Sequence, residues 1–269
     1  MLRWRLPAVV LAVVACAGVA RAEEPAALAR ARVAYNASDY AAAIDEASAA
    51  RLEAEYADTA TLVLARAHLE QYRLGGNPAH LSAARVALGG VRAGALDPRD
   101  QVDLYIGLGQ SLYLGEVFGP AADLFDLALA RGTLLSTADR LMLLDWWATA
   151  LDREGQTRSP DRRAPVYERI SDRMDAELRT DPGSAVANYW RAVAARGAGN
   201  LDDAWDLAVA GWVRSRLSPE ATERLRTDLD RLVTQALIPE RARTIVAPDR
   251  QEALSRLRME WALVKESWP

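Results

Sequence analysis

Cysteine is almost absent from this 269-residue chain, Cys16 being the only one. A single thiol cannot close an intrachain disulfide or build a cysteine metal site, so stability has to come from packing. Histidine is nearly as scarce, with only His68 and His80. There is no HExxH pair, no Walker sequence, no GxGxxG and no GxSxG. The nearest approach, Gly107-Leu108-Gly109-Gln110-Ser111, has no strand before it and reads as helix packing. No acid, base and nucleophile set can be assembled, so the expectation is a protein that is not an enzyme, with no cofactor and no metal site. Lysine is limited to Lys265, which leaves arginine to carry the positive charge, and the balance is still acidic at −4. Nucleic acid is therefore not an expected partner. No stretch alternates over strand length, which points to an all-α chain.

What is present begins with an N-terminal signal. Arg3 and Arg5 precede an apolar run from Leu6 to Ala20 that ends in Ala20-Arg21-Ala22, an A-x-A cleavage pattern. The run falls short of the roughly 20 residues that span a bilayer as a helix. Cleavage after Ala22 would start the mature protein at Glu23, remove Arg3, Arg5, Arg21 and Cys16, and take the charge from −4 to −7. Val13-Val14-Ala15-Cys16 resembles a bacterial lipobox and offers a second route, in which Cys16 is lipidated. Apolar residues continue past Cys16 to Ala20, which favours the later cut. The expected location is periplasmic or secreted, with no membrane span after cleavage.

The whole chain is 51% hydrophobic and 26% charged, an ordinary globular balance. In Tyr105–Leu129 an aromatic, Tyr105, is followed by Leu108-Gly109 and Leu112, then by Ala121 and Phe125. This order resembles the tetratricopeptide (TPR) signature, in which small residues let helix A cross helix B while large ones fill the surrounding space. The small residue of helix A recurs at Ala31, Ala65, Gly109, Ala148 and Ala192, at intervals of 34, 44, 39 and 44 residues. In three units an alanine follows 12 residues later: Ala43, Ala121 and Ala204. The resemblance implies an all-α α-solenoid of about five TPR-like helix pairs over residues 23–217, with 218–269 as a C-terminal helical cap.

Punctuation supports these divisions. Asn36 to Asp39 and Gly197 to Asn200 read as turns between paired helices, and Gly75-Gly76-Asn77-Pro78 is a strong break. Asp97-Pro98 and Ser218-Pro219 have the capping residue and first-turn proline of helix starts, and the last helix is expected to follow Pro248. Residues 156–165, QTRSPDRRAP, read as an arginine-bearing surface loop. Trp146 and Trp147 point about 100° apart on one helix, which makes one of them a candidate for exposure.

Functional candidates come from the groove that the TPR resemblance implies on the helix A faces. The register selects Arg32 and Tyr35, Leu62 and Arg66, Gln110 and Tyr113, then Asp145, Thr149 and Asp152, and finally Tyr189 and Arg196. Tyrosine and arginine are frequent binding anchors because they combine large area with a polar tip. His68 is expected to be a satisfied core histidine and His80 to be solvated. The implied function is a non-enzymatic cell-envelope scaffold or adaptor holding a protein or peptide partner. In outline the chain is also similar to the helical-repeat T component of TRAP transporters, which would imply a small-molecule site and an enclosed tunnel lined by Trp146 or Trp147.

Overall fold

The computed structural model describes residues 24–217, 222–245 and 249–269. The signal and lipobox readings, the Ser218-Pro219 start and Pro248 lie outside them. The described residues form helices packed in neighbouring antiparallel pairs, with no strand among them, and divide into two compact units at Leu143/Leu144.

The first unit contains α1 (Ala26–Asn36), α2 (Tyr40–Ala50), α3 (Ala57–Gly75), α4 (Pro78–Gly90), α5 (Pro98–Leu114), α6 (Phe118–Leu129) and the first turns of α7 (Thr137–Thr157). Helices α2, α4 and α5 begin at side-chain caps that satisfy orphan N–H groups of the first turn. Asp39 accepts from Ala42 N at 3.1 Å, Asn77 from Ala79 N at 3.0 Å and Asp97 from Asp100 N at 2.8 Å. Pro78 and Pro98 occupy first positions where a missing N–H costs nothing. Every register mark in this unit is buried: Ala31, Ala43, Ala65, Gly109 and Ala121. At the α5–α6 crossing a Cβ built on Gly109 would lie 2.5 Å from Phe125 Cε1. Nothing larger than hydrogen fits there, so the small–large pairing read from the sequence is the contact that the two helices make.

The second unit holds the rest of α7, then α8 (Pro160–Thr180), α9 (Ala185–Gly197), α10 (Leu201–Arg214), α11 (Thr222–Leu232), α12 (Ile238–Arg243) and α13 (Arg250–Ser267). The expected surface loop at 156–165 is not there. α7 continues to Thr157 and α8 starts at Pro160, so only Arg158 and Ser159 are non-helical. Pro160 begins the new helix, and Val166, Tyr167 and Ile170 bury an apolar stripe that holds it in place despite the internal Pro165. Tertiary burial outweighs Pro165. The ring of Tyr167 lies so close to Gly197 that a Cβ on that glycine would be 2.2 Å from it.

α11 runs into α12 through a π-helical turn, Val233–Leu237. Pro239 has no N–H for the carbonyl four residues earlier, and the widened turn absorbs that defect. α13 lays Trp261 edge-on against Trp205 and Trp212, with centroids 6.0 and 5.3 Å away. Trp212 Nε1 donates to Trp268 O at 2.9 Å, and Trp261 Nε1 donates to Asp230 Oδ1 at 2.8 Å. The last described helix thus covers tryptophans of α10 that would otherwise face water. Of the α7 tryptophans, Trp147 is buried and Trp146 half-buried.

Candidate functional site

In the first unit the helix A register does converge, but it converges inward. Arg32 from α1 and Arg66 from α3 meet Tyr35, Leu62, Asp100 and Asp103 around one small pocket of about 10 Å³, room for about one water. Tyr35 and Arg66, expected on an open groove, are only 7% and 4% exposed. Arg66 Nη1 makes a 2.9 Å ion pair with Asp103 Oδ2, and its guanidinium lies over the Tyr35 ring at 4.9 Å. Burial alone would lower the Arg66 pKa, but Asp103, Tyr35 and Glu70 together outweigh it and raise the value. Burial pushes Tyr35 up to about 12. Both groups therefore keep their ordinary protonation state and serve the inside of the unit.

The rest of this network is incompletely satisfied. Arg32 reaches Glu24 at 3.0 Å and Asp100 at 3.6 Å, while Thr59 Oγ1 donates to Asp100 Oδ2 at 3.0 Å. Burial raises Asp100 above the usual carboxylate range, with Arg32 opposing it. Asp103 Oδ1 is 3.6 Å from Arg99 Nη2, too far for a hydrogen bond, and Arg66 Nε also has no hydrogen-bond partner. Asp100 and Asp103 were not anticipated as site residues. Asp103 nevertheless sits two turns before Gln110 on the same face of α5, so extending that face backwards would have found it. Gln110 and Tyr113 stay further along α5: Gln110 is half-buried with Oε1 unpartnered, and Tyr113 packs edge-on against Phe118 at 5.4 Å.

In the second unit the register brings its residues to one wall. α7 supplies Asp145, Thr149 and Asp152, α9 supplies Tyr189 and Arg196, and α11 and α12 add Arg224, Asp228, Arg231 and Glu240. Trp190 Nε1 donates to Asp145 Oδ1 at 2.7 Å, and Tyr167 Oη donates to Asp152 Oδ1 at 3.0 Å. Burial raises the pKa of all three aspartates. It is opposed at Asp145 chiefly by the Trp190 bond, at Asp152 by the Tyr167 bond and at Asp228 by Arg224 and Arg231. Tyr189 is raised by burial and by the negative field of Asp228, Asp152 and Asp145. Its hydroxyl has no hydrogen-bond partner among the described residues. Arg196 is committed to Glu240 through two bonds of 2.9 and 2.6 Å, which raise its pKa. Asp228 and Glu240 carried no local signal, because only folding brings α11 and α12 against α9.

Two further groups lie elsewhere than expected. His68 and His80 face each other with Nδ1 atoms 2.9 Å apart and ring centroids 5.2 Å apart, so the rings meet end to end through one N–H···N bond. That geometry aims the two nitrogens at one another rather than at a common point. Burial, then His80, holds His68 below its ordinary pKa. Trp147, a candidate tunnel residue, packs inside with the guanidinium groups of Arg169 and Arg173 over its ring at 5.7 and 5.5 Å. No helix among the described residues is long and apolar enough to cross a membrane, and no group of three or more His, Cys, Asp or Glu side chains there could hold a metal ion.

Set against known proteins, the chain matches no family model, no curated protein and no solved structure. Its likeness to TPR repeats therefore rests on its own residues and helix pairing.

Proposed function

We propose that this chain is a non-enzymatic scaffold or adaptor of the cell envelope, in which TPR-like helix pairs hold a protein or peptide partner. The binding surface assigned to it is the wall of α7, α9 and α11 in the second unit, centred on Tyr189. One observation carries the reading: Tyr189, whose hydroxyl has no hydrogen-bond partner among the described residues, lies in the negative field of Asp145, Asp152 and Asp228 on this wall. A half-buried tyrosine whose hydroxyl is committed to no other residue combines the area and the polar tip of a binding anchor. Tyr35 and Arg66 support that wall's counterpart in the first unit as internal braces, not as anchors. The periplasmic or secreted location belongs to the same proposal and rests on the Ala20-Arg21-Ala22 pattern.

The test is capture of the partner from envelope extract with Tyr189→Ala against the parent. An anchor buried only in the complex costs binding far more than folding when truncated, typically about 2 kcal/mol or more. The variant is expected to keep its helical circular-dichroism spectrum while losing at least about tenfold in capture. Asp172→Ala, exposed on α8, should alter neither property. Unchanged capture of the same partner by Tyr189→Ala would remove this wall from consideration.

A further inference from the structure

Helix α9 has a second working face. Arg191, Ala195 and Ala198 lie roughly half a helical turn round from Tyr189 and Arg196, and with α8 and α10 they border a cleft of about 650 Å³ inside the second unit. Its apolar lining is built from small or aliphatic side chains, chiefly Ala195, Leu207 and Ala210, with exposed Ala198 at its edge. A lining of that kind lets another backbone approach closely, and the volume falls in the range of roughly 300–1,000 Å³ that binding pockets occupy.

The rim has one sign of charge. Glu168 on α8 and Asp203 and Asp206 on α10 are exposed, and none of the three has a hydrogen bond or ion pair among the described residues. The single cationic side chain in the lining, Arg191, is held by Asp175, with Nε 2.6 Å from Oδ1. Three carboxylates thus border an apolar lining with no counter-charge of their own.

We infer that this cleft is a docking site for a cationic amphipathic helix of a partner protein, one that lays small apolar residues on the apolar lining and Lys or Arg beside Glu168, Asp203 and Asp206. A neutral or acidic helix would bury the apolar stripe while leaving the rim uncompensated, so charge complementarity selects the partner. The helix-in-groove mode needs anchors only at successive turns, which suits a shallow opening between two helices. The site is separate from the Tyr189 wall and stands or falls without it.

The full-length protein is titrated into a fluorescein-labelled helical peptide of alanine, leucine and lysine, and in parallel into the same peptide with glutamate replacing lysine. The lysine peptide is expected to bind, to weaken with added salt, and to lose about tenfold in affinity to Glu168→Gln/Asp203→Asn/Asp206→Asn. Ala198→Trp, at an exposed position on the edge of the cleft, should weaken it comparably by blocking the opening, whereas Tyr189→Ala should leave it unchanged. Circular dichroism establishes that each variant is folded. Equal binding of the glutamate peptide, absence of binding by the lysine peptide, or indifference to the triple neutralisation each overturns the proposal. Sensitivity to charge without sensitivity to Ala198→Trp also overturns it, because the carboxylates would then act as an open acidic surface. Displacement of the peptide by spermidine at equal concentration would assign the cleft to a small polycation instead.

Discussion

At Gly109 the backbone of α5 comes so near α6 that even a methyl group would sit 2.5 Å from Phe125 Cε1. Phe125 is 1% exposed, so its ring has nowhere to move. Overpacking of this kind costs about 1–3 kcal/mol. Gly109→Ala is expected to lower the thermal midpoint accordingly, and Phe125→Leu in the same chain to recover part of the loss, since the two substitutions share one contact. Full additivity of the two would mean that the crossing is not where the stability resides. This contact was legible in the sequence because small-against-large at a fixed separation is a packing rule with few solutions. The fate of Arg66 was not legible. Its position on helix A was readable, but whether a guanidinium points outwards or into the unit depends on Asp103 of α5, which reaches it from another helix pair.

At the scale of elements, the joint between α3 and α4 contains the His68–His80 bond. Burial keeps the folded-state pKa of His68 below the ordinary value of 6.5. Between those two values the unfolded chain takes up a proton that the folded one resists, so the contribution is present in full above pH 6.5 and is lost as pH falls through the folded value. The parent is therefore expected to lose more thermal stability between pH 7.5 and 5.5 than His68→Phe does. Equal losses would show that the pair has no part in the acid response. Sequence reading set these residues apart, one as core and one as solvated, because the turn at Asn77-Pro78 was recognised but the closing angle it imposes on two helices was not. The expected loop at residues 156–165 failed for a related reason. Prolines and arginines argued locally for a break, whereas Val166, Tyr167 and Ile170 gain enough by burial to carry α8 through Pro165.

For the whole molecule, the proposed location makes the most direct prediction. Protein recovered from the envelope should have an intact mass corresponding to a chain that begins at Glu23 and carries no lipid, whereas an acylated N-terminus at Cys16 would assign it to the lipoprotein route. The helical class, the pairing of consecutive helices and the buried marks at Ala31, Ala65, Gly109, Ala148 and Ala192 could all be read along the chain. They depend on spacings of one turn to a few dozen residues, over which periodicity, caps and breakers act locally. Tertiary structure decided which polar residues are open to a partner. It turned Tyr35 and Arg66 inward, brought Asp228 and Glu240 to the Tyr189 wall, and left Glu168, Asp203 and Asp206 unpaired around a cleft on the opposite face of α9. Those outcomes depend on which charge finds a counter-charge across separate helices, and that is settled only by the way the helices pack.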